Sequence, residues 1–157
     1  MNLDSLDAYE AAYKNAAFYR IPDVGCLRIS GEDRIDFLQR QTTNDLRNLK
    51  SGIALPSVLT SPSARILDVL YVYQDEIHTN GDQGAEGSII ATTLPGRGRQ
   101  TEKFLQNCIF FMDKVCVERL DDQTIQYELL GPEADEVLKS LGADHTPGNP
   151  ELRKSYK

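Results

Sequence analysis

Asp68 is the only charge in the run Ile66-Leu67-Asp68-Val69-Leu70-Tyr71-Val72-Tyr73. A period of two puts it on the face shared with Ile66, Leu70 and Val72. A carboxylate on such a face is costly unless it is paired or hydrogen-bonded. It is therefore either a structural partner for an arginine or a backbone amide, or the acid of a ligand pocket. Arg65 opens the same run beside a turn, where it is either solvated or able to hold a carboxylate in a two-pronged grip. Arg97, Arg99 and Lys103 gather at the start of an expected helix after Pro95-Gly96. Helix N-termini attract anions and arginines strengthen the effect, so Arg97 and Arg99 are anion-binding candidates against the alternative of a solvated face. Glu102, on the same helix, is either a weak candidate acid or base or a surface partner of a neighbouring cation.

Other chemistry has little support. The sequence holds no G-x-S-x-G elbow, no phosphate-binding glycine loop and no cysteine–histidine pairing. Cys26, Cys108 and Cys116 each lie beside apolar residues and are expected to be buried, reduced thiols. The two histidines, His78 and His145, sit in polar surroundings, so no metal site is expected.

These side chains must be held by the elements around them. Leu3, Leu6, Tyr9, Tyr13 and Ala16-Ala17 form a helical stripe over residues 3–18. Val24 to Ile29 reads as a strand. Ser30 then offers a hydroxyl cap to a helix carrying Ile35, Phe37, Leu38 and Leu46, with Gly52 as its stop. Residues 53–60 and 65–74 read as strands joined by the Ser61-Pro62-Ser63 turn, and a further short strand is expected near Ile77. Asn80 to Gly87 reads as a hairpin loop, and Ser88 to Thr93 as a strand. A helix follows over Arg97 to Ile109, then strands over Lys114 to Leu120 and Ile125 to Leu130. Pro132 opens a last helix, with Ala134, Val137, Leu138 and Leu141 inward and Gly142 as its stop. The order is that of an α+β fold of ferredoxin-like kind, a split β-α-β mixed sheet with helices on one face.

Residues 1–142 are expected to form one domain, and the polar stretch 143–157 a linker or tail. The 157 residues carry a net charge of −7, which argues against nucleic acid as the partner. No run is long and apolar enough to span a membrane, and the N-terminus does not read as a signal or transit peptide. A cytoplasmic location is the default expectation.

Several segments, in order, resemble the aminomethyltransferase superfamily, which holds the glycine cleavage T-protein and the YgfZ-type folate-binding proteins. They are Ser30-Gly31-Glu32-Asp33-Arg34, Phe37-Leu38-Gln39, Thr43-Asn44-Asp45-Leu46, the run Arg65 to Tyr73, and Leu130-Gly131-Pro132-Glu133-Ala134. Ile109-Phe110-Phe111-Met112-Asp113-Lys114-Val115 is more similar to the YgfZ-type branch. The resemblance covers about Asp7 to Gly142 and implies the N-terminal half of a tetrahydrofolate-binding protein. Arg65 and Asp68, from their own chemistry, and Val117 and Arg119, which by the same resemblance lie near where the family places pterin contacts, are the cofactor-binding candidates.

The chain also departs from the family. The T-protein branch has an Asn-Ala strand end followed by a functional Asp, whereas this chain reads Ala91-Thr92-Thr93 and offers only Glu102. Arg119 stands where a small polar residue is usual. The Lys-Gly-Cys-Tyr motif of the YgfZ-type second half is absent. The resemblance thus implies a YgfZ-type module, non-catalytic in itself and associated with iron–sulfur cluster assembly or repair. The alternatives are an aminomethyltransferase, or a truncated interaction domain without a ligand. The expected partners are a folate, iron–sulfur proteins and a second copy of the chain. No metal is expected.

Overall fold

The computed structural model describes residues 3–75 and 87–142. The expected strand near Ile77, most of the 80–87 loop and the 143–157 tail lie outside the described residues. The chain divides into two units, one of residues 22–124 and one of residues 1–21 with 125–157.

The larger unit holds β2 (Val24–Ser30), α2 (Arg34–Gln41), β3 (Leu55–Thr60), β4 (Ile66–Asp75), β5 (Ser88–Pro95), α3 (Gly98–Asn107) and β6 (Cys116–Arg119). Its five strands lie in the order β3-β4-β5-β2-β6. Both β5 and β6 pair antiparallel with β2. They therefore run in the same direction with β2 between them, and α3 makes the crossover: this is the expected split β-α-β unit. Every neighbouring pair is antiparallel, so the sheet is antiparallel where a mixed one was expected.

Side-chain alternation makes one sheet face the core. Leu27 and Ile29 of β2, Leu70 and Val72 of β4, and Ile89 and Ala91 of β5 point to that face and are almost fully buried. Phe37 and Leu38 of α2 and Leu105 of α3 pack on it, so both helices lie on one side. Each large apolar side chain removed from water in this way contributes about 1.5–3 kcal/mol. The other face carries a smaller cluster of Cys26, Ile90 and Leu120 with Tyr73 against it.

Three local expectations change. Ser30 ends β2, and the helix starts at Arg34 with Asp33 at its cap position. The Asp33 carboxylate instead accepts the Lys114 N–H at 2.9 Å, tying the helix start to the approach of β6. Helix α2 stops at Gln41, and Leu46 reaches the core from a separate 3-10 turn, Leu46–Asn48. Of the cysteines, only Cys26 is buried; Cys108 is half-buried and Cys116 exposed at the sheet edge.

The smaller unit contains α1 (Leu3–Lys14), β1 (Ala17–Arg20), β7 (Tyr127–Leu130) and α4 (Ala134–Ser140). β1 and β7 form a two-stranded antiparallel sheet. β1 falls partly where the helical stripe was expected to continue, because the helix ends at Lys14 and Ala17 enters the ribbon opposite Leu130. Gly131 has φ +122°, and a Cβ there would meet the Asn15 carbonyl at 2.4 Å, so β7 turns into α4 where only glycine fits. Tyr9 and Tyr13 stack on each other with ring centres 6.4 Å apart while remaining largely exposed. Leu141, expected inward, is 76% exposed.

Candidate functional site

Asp68 lies in β4 between the sheet and α3 and is 1% exposed. Its Oδ1 accepts the N–H of Val69 at 2.8 Å and of Leu94 at 3.1 Å. Its Oδ2 accepts the hydroxyl of Thr101, itself buried on α3. The carboxylate therefore joins β4, the end of β5 and the first turns of α3, and both of its oxygens are occupied. This is the structural-partner reading, with backbone amides and a threonine in place of an arginine. Leu70 and Val72 share its buried face as expected, whereas Ile66 is 69% exposed.

The arginines near α3 divide into two kinds. Arg97 occupies the cap position of α3 and donates from its guanidinium to the Leu67 carbonyl, so it braces the joint that Asp68 makes. Arg99 and Lys103 are exposed on the helix. Arg65 is exposed in the β3–β4 turn, where its backbone exchanges hydrogen bonds with Ser61.

Close backbone packing sets the N-terminus of α3 against β2. A Cβ on Gly25 would meet the Gly98 Cα at 2.3 Å and the Thr93 Oγ1 at 2.7 Å. Gly25 lies at an irregularity in the β2–β5 pairing and donates its N–H to Thr93 Oγ1 at 3.0 Å. Thr93 is thus a packing and hydrogen-bonding residue.

A second polar group sits where α3 meets β6. Arg119 Nε lies 3.7 Å from Glu102 Oε2, and Arg119 Nη1 lies 3.5 Å from Asp121 Oδ2. These contacts are longer than hydrogen bonds, and the three side chains are 23–30% exposed. Asp121 is held from the other side by the Cys26 N–H at 2.8 Å. The group presents one cation and two carboxylates that a ligand can re-pair without first burying a charge. Glu102 on α3 and Arg119 on β6 are brought together by the packing of the helix against the strand. Val117, two residues before Arg119, shares its face of β6 but lies within the core opposite Ile29 and is 5% exposed. Among the described residues no cluster of metal-ligating side chains occurs.

Sequence reasoning missed two further polar groups. Asp75, 4% exposed, accepts from Arg28 Nε at 3.2 Å and from Ser88 Oγ at 2.7 Å on the face opposite the helices. Beside it, burial raises the Tyr73 hydroxyl to about 12, and burial pushes the Cys26 thiol up. Asp113 accepts from Arg40 Nη2 at 2.8 Å on each oxygen and also takes the Phe110 N–H at 3.0 Å. That backbone bond, with Arg40, holds its carboxyl below the usual range. The turn it closes displays Phe110, Phe111 and Met112 at 66%, 96% and 73% exposure. The signal for Thr101 was present: Gly98, Thr101 and Leu105 recur at helical spacing on one face, so a polar residue there needed a buried partner.

An α+β domain built on a split β-α-β sheet is therefore the class of the larger unit. The wider comparisons agree with it. The crystal structure of glycine cleavage system aminomethyltransferase T from Bartonella henselae superimposes with a TM-score of 0.73 at 22% identity, over 89% of this chain and 36% of that one. In sequence, the chain is 26% identical over 153 residues to a chloroplastic putative transferase of Arabidopsis thaliana, covering 98% of this chain and 32% of that protein. It is likewise 26% identical over 142 residues to an aminomethyltransferase of Desulforamulus reducens, covering 86% of this chain and 34% of the enzyme. No family model matches the chain. Over most of its length the chain is thus similar in sequence to proteins named aminomethyltransferase or putative transferase, and in fold to a glycine cleavage aminomethyltransferase T. It spans about a third of the length of the relatives it matches, where the resemblance had suggested half.

Proposed function

We propose that this chain is a tetrahydrofolate-binding module of aminomethyltransferase type that supplies binding rather than chemistry. The observation that carries the reading is the state of its acids. Asp68 spends both oxygens on three internal donors, and Glu102 faces a cation across a loose, half-exposed contact. Neither carboxylate is placed as a general acid or base aimed into a cleft. The Arg119–Glu102–Asp121 group fits the chemistry of a folate. A pterin presents ring N–H donors that a carboxylate accepts, and the glutamate tail presents carboxylates that an arginine holds. The relationship to proteins named aminomethyltransferases supports the folate part of the reading.

A role in iron–sulfur cluster assembly or repair is the narrower form of this proposal. It rests on the YgfZ-like segment Ile109 to Val115, which the Asp113–Arg40 pair holds in an exposed turn. Calorimetric titration of the chain with tetrahydrofolate tests the broader reading. Micromolar binding that weakens at least tenfold in Arg119→Ala is expected, and absence of heat at millimolar ligand would overturn it. Turnover of an aminomethyl donor by this chain, lost in Glu102→Gln, would replace it with the enzymatic alternative.

A further inference from the structure

The two carboxylates beside Arg119 are held in different ways. Asp121 stands at the start of a 3-10 turn, Asp121–Gln123, that follows β6. Cys26 of β2 grips this start twice: its carbonyl accepts the Leu120 N–H at 2.7 Å, and its own N–H donates to Asp121 Oδ1 at 2.8 Å. Cys26 and Leu120 are buried, so water does not compete for this anchor. Asp121 Oδ2 faces Arg119 Nη1 at 3.5 Å, and a Cβ on Gly98, at the start of α3, would lie 3.4 Å from it. One oxygen is thus fixed to the sheet and the other is left for the guanidinium.

Glu102 has no such anchor. Its Oε2 lies 3.7 Å from Arg119 Nε, and its Oε1 meets the exposed Gln106 side chain at 3.5 Å, the long limit of a hydrogen bond. It reaches from α3 on a side chain with one more rotatable bond than that of Asp121. The two acids also address different parts of the cation. Asp121 faces Nη1, whereas Glu102 faces Nε, which with Nη2 forms an edge of the planar fork that takes oxygens in two-pronged fashion. The receptive edge is therefore covered only by the carboxylate that is free to turn away.

We propose that Asp121 is a positioning residue of the folate site. Anchored on the Cys26 amide, it holds the Arg119 guanidinium by Nη1, so that the Nε–Nη2 edge is already aimed when tetrahydrofolate arrives and only Glu102 has to move. The proposal rests on the folate-binding reading given above. A long arginine side chain loses much rotamer freedom when it binds, and a fixed counter-charge removes part of that loss beforehand. Glu102, once turned from Arg119, is left to accept from ring N–H groups of the ligand.

The test is a double-mutant cycle read by calorimetric titration with tetrahydrofolate. Asp121→Asn keeps an oxygen for the Cys26 N–H and removes the charge that faces Arg119. In the parent chain it is expected to weaken binding about tenfold, and in an Arg119→Ala chain by less than about twofold. Asp122→Asn removes an equal charge from the exposed neighbouring position and should change binding by less than about twofold. A purely structural Asp121 would weaken both backgrounds alike. The proposal is overturned if Asp121→Asn binds as the parent does, if its loss is the same with and without Arg119, or if Asp122→Asn weakens binding as much. Each of those results leaves the folate reading standing, whereas a parent chain that binds no tetrahydrofolate overturns both.

Discussion

Replacing Asp68 tests whether the fold needs this carboxylate as a joint. Three donors converge on it: the N–H groups of Val69 and Leu94 and the hydroxyl of Thr101. All lie where water does not reach the carboxylate, which is 1% exposed. Asp68→Ala leaves those donors without an acceptor and opens a small void. An unsatisfied buried polar group costs about 1–3 kcal/mol, and loss of one partner of a buried polar network about 3–5 kcal/mol in all. A destabilisation of about 3–5 kcal/mol is therefore expected. Asp68→Asn keeps the volume and one carbonyl oxygen for the two backbone donors, and the Thr101 hydroxyl can turn to accept from the new amide. That variant should cost about 1–2 kcal/mol. Urea denaturation followed by far-UV circular dichroism gives both values from the shift in midpoint. An Asp68→Ala chain within about 1 kcal/mol of the parent, or an Asn variant as damaged as the Ala one, would refute the structural role.

Gly25→Ala should destabilise by about 1–3 kcal/mol in thermal melts, because the new methyl meets the Gly98 backbone, which cannot swing aside. Gly96→Ala, at φ +74° with open space around it, should cost only about 1–2 kcal/mol of backbone strain. Tyr73 titrates at about 12 against an ordinary 10, raised chiefly by burial. The unfolded chain therefore ionises first. The stability Tyr73 contributes is complete below pH 10 and is lost as the pH rises toward 12. Denaturation midpoints of Tyr73→Phe, which lacks that loss, should fall less steeply than the parent's over this window. The Asp113 carboxyl is lowered from 3.8, chiefly by the Phe110 backbone bond and then by Arg40. Its contribution is present above 3.8 and lost as the pH falls through the depressed value. The stability gap between the parent and Asp113→Asn should therefore close in strong acid.

The central sheet was legible because β2 to β5 are short runs rich in apolar residues, β4 alternating clearly, that lie between clear turn signals. Asp68 was recognised for the same reason, as a charge where the period demands an apolar group. Its partner was harder to find because Thr101 is far in sequence, and only the fold brings α3 over β4. Ser30 misled because hydroxyl-Gly-acid is a good capping pattern locally. The tertiary bond from Lys114 to Asp33 instead places the helix start three residues later than a Ser30 cap implies. β1 was obscured because Ala16 and Ala17 continue a helical stripe, and only the long-range pairing with β7 makes Ala17 extended. Val117 and Arg119 were both placed near the ligand by resemblance; they share one face of β6, but Val117 is covered by the core beside Ile29, whereas Arg119 meets Glu102 at the partly exposed α3–β6 junction.

The folate-binding reading is tested most directly by mapping amide chemical-shift changes while tetrahydrofolate is titrated into the isotope-labelled chain. Saturable shifts centred on Glu102, Arg119 and Asp121, with the buried Asp68 joint undisturbed, are the expected result. A spectrum unchanged at millimolar tetrahydrofolate, or shifts confined to residues remote from that group, would contradict it.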